Sequence, residues 1–288
     1  MTLRLPWWAR IGAKLVLSRL PLSYSLWRKF GLFRHGSMDA PDYALRVFNH
    51  HTDKVGLKND LSGRVLLELG PGDSIATAVI ASAHGAKAIL VDAGHFVHND
   101  VGPYLELFSV LADTAVNKIN VSECGSIDDI LDMCRSRYLT DGLESLREIE
   151  DESVDLIFSQ AVLEHIRKDK FLETMRECSR ILKPSGICSH QVDLRDHIGG
   201  GLNNLRFSEK YWESPAFTKS GFYTNRIQMH AMISLFSMAG FESAVSNVIC
   251  WNKLPTPKTS LSSEFRDLSD AELMVSSFDV VLRKKCLK

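Results

Sequence analysis

The sequence predicts an α/β fold, a parallel sheet covered by helices on both faces, with a basic helical extension in front of it. Three observations lead there. Continuous apolar runs, RVLLEL from Arg64, KAILVDA from Lys87 and SVDLIFSQ from Ser153, read as strands buried on both sides. Segments of helical spacing separate them, as β-α-β units require. The length of 288 residues, 45% hydrophobic and 24% charged, suits one large domain with additions and leaves global disorder without support.

Taken in order, residues 1–60 read as a mostly helical extension, interrupted by a loop at FRHGSMDAPDY. This stretch is basic. Residues 1–38 carry seven cations and no acid, so a net charge of −1 for the whole chain leaves −8 for the remainder. The body therefore lacks a basic footprint for nucleic acid, whereas the extension suits an anionic surface. With Trp7, Trp8 and Trp27, two readings stay open: peripheral membrane contact through residues 1–38, or docking of the arm on its own domain or a second subunit. After the first strand, SIATAVIASAHG forms a helix closed by Gly85, and KAILVDA is the second strand. The interval from Asp92 to Asp141 is too long for a plain helix-and-strand return, so an inserted helical cap is expected at about 94–137. A helix at helical spacing from Phe171 to Leu182 follows the third strand, KPSG stops it, and ICSHQVDL continues the sheet. A second insertion, at about 199–235, is rich in glycine, aromatic and basic residues and is expected on the substrate side. FESAVSNVIC and SSFDVVLRKK then read as antiparallel neighbours at the sheet edge. Six scattered cysteines without a CxxC pair favour reduced thiols in a cytoplasmic setting, or one peripheral to a membrane.

The chemistry concentrates at strand ends. Gly70-Pro71-Gly72 follows the first strand directly, and neither glycine has a Cβ to keep a ligand from the backbone. The turn lacks the third glycine of GxGxxG and the Gly-Lys-Ser/Thr ending of a P-loop. Asp92, about twenty residues on, closes the second strand, where a carboxylate can accept both ribose hydroxyls. Together they point to a nucleoside that is not anchored by phosphates.

At this point the motifs LLELGPGDS, ILVDAG, TDGLESL, SVDLIFSQAVLEHI and RILKPSGICSH, in that order, resemble those of class I S-adenosylmethionine-dependent methyltransferases over roughly residues 60–195. The resemblance implies a Rossmann-like, doubly wound, seven-stranded sheet with the last strand antiparallel, spanning residues 61–288, and S-adenosyl-L-methionine as cofactor. It further implies that Glu68, Gly70 and Gly72 face the methionine and ribose part of the cofactor and that Asp92 holds the ribose. Asp141 would meet the adenine amino group, with Gly142 or Leu143 adding a backbone contact and Asp128 or Asp129 as substitutes. Ser159 and Gln160 would line the methionine end.

For a hydroxyl acceptor a general base is useful, and His165, Asp193 and His197 are the candidates; His190 and Asp193, three apart on a strand, point to opposite faces. No compact ligand spacing is evident, so no metal is expected, and His50-His51 and His95/His98 read as solvated loop residues. Arg206 and Arg226 are placed either against an acidic group of the acceptor or on the surface. The leading function is methyl transfer to oxygen of a small-molecule or glycan-type acceptor. A nicotinamide-dependent oxidoreductase and a non-catalytic cofactor-binding protein are the alternatives.

Overall fold

The computed structural model describes residues 6–17, 38–57, 61–113, 115–116 and 124–285. Trp27 and most of the basic arm lie outside them. In chain order the elements are α1 (Trp7–Leu17), α2 (Pro41–Lys54), β1 (Val65–Leu69), α3 (Ala76–Ala83), β2 (Lys87–Val91), α4 (Gly102–Leu111), α5 (Ile127–Met133) and β3 (Arg137–Leu139). Next come α6 (Leu143–Arg147), β4 (Val154–Gln160), α7 (Lys168–Ile181) and β5 (Leu182–Asp193). The chain finishes with α8 (Glu209–Trp212), α9 (Pro215–Thr218), α10 (Met229–Met238), β6 (Phe241–Cys250), α11 (Ser263–Arg266), α12 (Asp270–Leu273) and β7 (Val275–Lys284).

The seven strands lie in the order β3-β2-β1-β4-β5-β7-β6. β1 to β5 are mutually parallel, and β7 runs antiparallel between β5 and β6, as expected. Residue alternation splits the core in two. Leu66, Leu90, Leu156 and Phe158 face one helical layer with α2, α3, α4 and α5. Leu67, Leu69, Ile157, Cys188 and Val280 face the other, with α6, α7 and α10. This is why β1 reads as an unbroken apolar run: both of its faces are covered.

Two expectations need correction. The segment at 94–137 is no cap over the site among the described residues. Tyr104, Leu107, Phe108 and Leu111 of α4 and Ile127, Ile130 and Leu131 of α5 are buried in the first core, so the insertion thickens a helical layer. The apolar face of α4 had to be buried somewhere, and α3, made of small and β-branched residues, offers the nearest flat surface. The second correction concerns His50 and His51, which belong to α2. His51 is 1% exposed, bonded to Ser189 Oγ at 2.8 Å and Gln160 Oε1 at 3.1 Å, and burial pushes its pKa down to about 3.

Of the two readings of the arm, α1 shows docking on its own domain. Trp7, Ile11 and Leu15 pack with Ile198, Trp212 and Phe222, while Arg10 and Lys14 donate to the carbonyls of Ile198 and His197. No helix among the described residues is long and apolar enough to cross a membrane.

Candidate active site

At the carboxyl end of β1 the chain must reverse tightly. Gly70 and Gly72 sit at φ +67° and +69°, in the left-handed region. A Cβ on Gly70 would lie 2.6 Å from both methyl groups of Val162, so no side chain fits between this turn and the one that follows β4. The turn is tied to β2 by backbone. Gly70 N–H donates to Val91 O at 2.8 Å, and Gly72 N–H donates to Asp92 Oδ2 at 3.0 Å. Ala93 N–H donates to Asp92 Oδ1 at 2.7 Å, and Gly142 N–H to Asp92 O at 2.8 Å. Asp92 thus joins the ends of β1, β2 and β3. Burial pushes its pKa up to about 6 against the pull of those two N–H donors.

Around this hub lies a cleft of about 460 Å³. Gly70, Asp92, Asp141 and Gly142 line it, with Leu143, Leu146, Val162 and Ile166 as apolar walls. Adjacent parallel strands diverge at their ends, and such crevices hold ligands in open α/β sheets. The residues suit an adenosine: apolar walls for a flat base, a carboxylate at ribose depth and a turn without side chains beside it. Asp141 follows β3 directly at the mouth, its N–H donating to Ser145 Oγ at 2.9 Å. The substitutes are spent elsewhere; Asp129 closes a capping box with Ser126 at the start of α5, and Asp128 shares that first turn.

Three assigned cofactor residues stand differently from expectation. Glu68 is 2% exposed and lies beneath the cleft, its pKa pushed up to about 7 by burial. Ser159 is wholly buried and shares a 2.8 Å hydrogen bond with His190 Nδ1. Gln160 turns to the opposite face, where it meets His51 and Gln191 and borders a separate cavity of about 500 Å³. The alternation of β4 dictates this divergence, a signal already present in the sequence. The cleft is reached instead by the turn after β4. Ala161 adopts φ +53°, a strained conformation for a residue with a Cβ, and the chain past it delivers Val162, His165 and Ile166 to the cleft wall.

Beyond His165, which lines this cleft, lies a second cavity of about 430 Å³ bordered by Lys14, Asp193, Arg195, His197 and Gly221. The His165 and His197 rings stand edge to face at 4.6 Å. His165 Nδ1 lies 2.8 Å from Tyr223 O, so that nitrogen carries the proton. Burial holds the His197 pKa below that of a free imidazole, which keeps the ring neutral. Asp193, the last residue of β5, is held by Arg195 through Nε at 2.9 Å and Nη2 at 2.6 Å. Burial raises its pKa, but the Arg195 bonds outweigh that and leave it below the ordinary carboxylate value. Asp193 is therefore a fixed anion and not a free base. Glu164 escaped the sequence reading. It is 2% exposed, with its pKa well above the usual carboxylate range through burial, and its Oε1 accepts from Asp193 N–H at 3.3 Å.

The two arginines also resolve. Arg206 stacks over Trp7 of α1 at 4.7 Å. Arg226 is neither on the surface nor in a pocket: its side chain is 1% exposed between Trp212 and Phe265 and donates to Phe207 O at 2.6 Å.

The sequence model of a family described as a methyltransferase domain matches residues 112–189, from the end of α4 into β5. No curated protein matches the sequence. Among solved structures, a SAM-dependent methyltransferase from Archaeoglobus fulgidus is 12% identical, with 83% of this chain and 94% of that one covered and a TM-score of 0.44. A Haemonchus contortus phosphoethanolamine N-methyltransferase is 16% identical, covering 82% of this chain and 52% of that one, with a TM-score of 0.46. The mitomycin 7-O-methyltransferase MmcR is 14% identical, covering 98% and 69%, with a TM-score of 0.43. Likenesses this distant, among enzymes that methylate different atoms, say nothing of this chain's acceptor. The methyltransferase-domain model covers residues 112–189, about a quarter of the chain, and over that stretch the chain is similar to S-adenosylmethionine-dependent methyltransferases.

Proposed function

We propose that the chain is an S-adenosylmethionine-dependent methyltransferase acting on an oxygen of a small-molecule or glycan-type acceptor seated in the cavity beside His197. The observation that carries the reading is the meeting of two spaces. An adenosine-sized cleft and a polar cavity are separated by two histidine rings, which leaves one place for a methyl donor and an acceptor to face each other.

In this reading Asp92 holds the ribose, Asp141 and Gly142 flank the base, and Gly70 and Gly72 admit the methionine portion against bare backbone. The cofactor supplies, when bound, an electrophilic methyl on a sulfonium. The protein's own contribution is mostly positional, since holding two reactants in line supplies up to about 7–11 kcal/mol in the best intramolecular cases. His197, neutral and half-buried, takes the acceptor's hydroxyl proton; Asp193 and Arg195 form a fixed charge pair at the cavity rim. Lys14 of α1 closes the cavity from the far side, so the docked arm is part of the acceptor site.

The test is mass spectrometry of cell extracts incubated with the protein and a deuterium-methyl cofactor. The expected result is a labelled small molecule whose label is lost under ether- or ester-cleaving chemistry. Label on nitrogen or carbon would refute the oxygen assignment. Binding of S-adenosylhomocysteine with no labelled product in any extract would favour a non-catalytic cofactor-binding protein.

A further inference from the structure

We propose that Glu164, His165 and His197 form a binding site for one divalent transition cation of the zinc class, at the wall between the cofactor cleft and the acceptor cavity. One donor atom from each residue lies within 4.8 Å of the other two. Two histidines and a carboxylate form a donor set that zinc and its neighbours accept, and catalytic sites of this kind keep a further position open for water or substrate.

The surroundings of each residue agree with a ligand role. His165 points Nδ1 at Tyr223 O, which orients the ring; a hydrogen bond of this kind accompanies nearly every metal-bound histidine. His197 Nε2 is buried without a hydrogen-bond partner among the described residues. The same is true of Glu164 Oε2, while Oε1 of that carboxylate is held by Asp193 N–H. Glu164 is 2% exposed. A carboxylate oxygen and an imidazole nitrogen buried without partners are each costly, and a cation held by these residues would satisfy both. Tetrahedral zinc with these ligands would need donor separations of about 3.4 Å, so the donor atoms, now within 4.8 Å of one another, would draw in by at most about 1.4 Å.

Position gives the site a use. His165 borders the cleft and His197 the second cavity, so a cation held by both would lie between the proposed cofactor and acceptor spaces. A bound cation would lower the pKa of an acceptor hydroxyl, whose proton would then pass to solvent, and His197 would act as the base only in the cation-free protein. This part rests on the function proposed above; the cation site itself does not.

The experiment uses the full-length protein, stripped with chelator and titrated with Co²⁺ and Zn²⁺, with S-adenosylhomocysteine binding measured on the same preparation. One Co²⁺ per chain is expected, with the intense visible bands of a four- or five-coordinate site, displaced by Zn²⁺. X-ray absorption of the zinc-loaded protein should show two imidazoles per metal. Glu164→Gln and His197→Ala should weaken Co²⁺ binding by more than the roughly 10–100-fold that loss of an outer-shell partner costs. No saturable Co²⁺ spectrum, or a zinc environment without two imidazoles, overturns the site even if a variant fails to fold. Loss of S-adenosylhomocysteine binding with the Co²⁺ spectrum intact would strike the proposed function and leave the cation site standing.

Discussion

The cleft at Asp92 and the cavity at His197 meet at the His165–His197 contact but are built in different ways. The cleft is made of strand ends and turns: Gly70, Asp92 and Gly142 are joined by backbone N–H groups, each close in sequence to the strand that positions it. The cavity is made of side chains brought from far apart. Lys14 reaches a carbonyl 183 positions along the chain, and His165 bonds one 58 positions away. A surface assembled from backbone geometry tolerates change in everything but its glycines and its acid. One assembled from side chains is free to vary with the acceptor, and this is where relatives with one cofactor can diverge in substrate.

That contrast can be broken by substitution. The largest effect is expected for His197→Ala, on the cavity side: turnover slowed by about 10²–10⁴-fold, with S-adenosylhomocysteine affinity retained by calorimetry. Wild-type turnover would remove His197 from the chemistry. On the cleft side, Gly70→Ala forces a Cβ into the 2.6 Å approach of Val162 at a left-handed φ. A stability loss of about 2–3 kcal/mol is expected in denaturant melts, partly restored by Val162→Ala in the same chain. An unchanged midpoint would show that the turn has slack.

Asp92→Ala is expected to weaken S-adenosylhomocysteine binding by about 1–3 kcal/mol, the cost of unpaired polar partners, and Asp141→Ala, at the exposed mouth, by less. Equal losses would mean that the mouth matters as much as the floor. Since the Asp92 pKa stands at about 6, affinity in the wild type should also rise between pH 5 and pH 7 as the carboxylate ionises.

The smallest effect concerns Glu68. Its folded pKa of about 7 lies above the ordinary carboxylate value, so the native state holds a proton that the unfolded chain gives up. That contribution to stability is fully present below about pH 4 and is lost as pH rises through about 7. Glu68→Gln should therefore gain on the wild type in thermal melts between pH 5 and pH 8, by on the order of 1–3 kcal/mol at most. Parallel pH profiles would show Glu68 to be ionised throughout.

Legibility followed the same divide. The β1 turn, Asp92 and the antiparallel edge strand could be read because each depends on local order: an apolar run, a glycine pair, an acid at the next strand's end. Ser159 and Gln160 were legible in principle, since the two-residue period of β4 sends them to opposite faces. The long interval after Asp92 was misplaced because amphipathic spacing shows that a helix buries a face without showing against what. Glu164 gave no signal at all; a glutamate ahead of a histidine in a short turn looks like a solvated acid until its neighbours are known.

By itself, the sequence determined β1, β2, β4 and β5, the bare turn and the acid that closes β2, because period, turn chemistry and strand length act over a few residues; β3, three residues long, lay in a segment that reads as helical. Only the tertiary structure decided that Lys14 of α1 lines the cavity at His197, that Arg226 is sealed among aromatic rings, and that Glu164, His165 and His197 converge. Those outcomes depend on which distant surfaces exclude water from one another, and no local pattern carries that information.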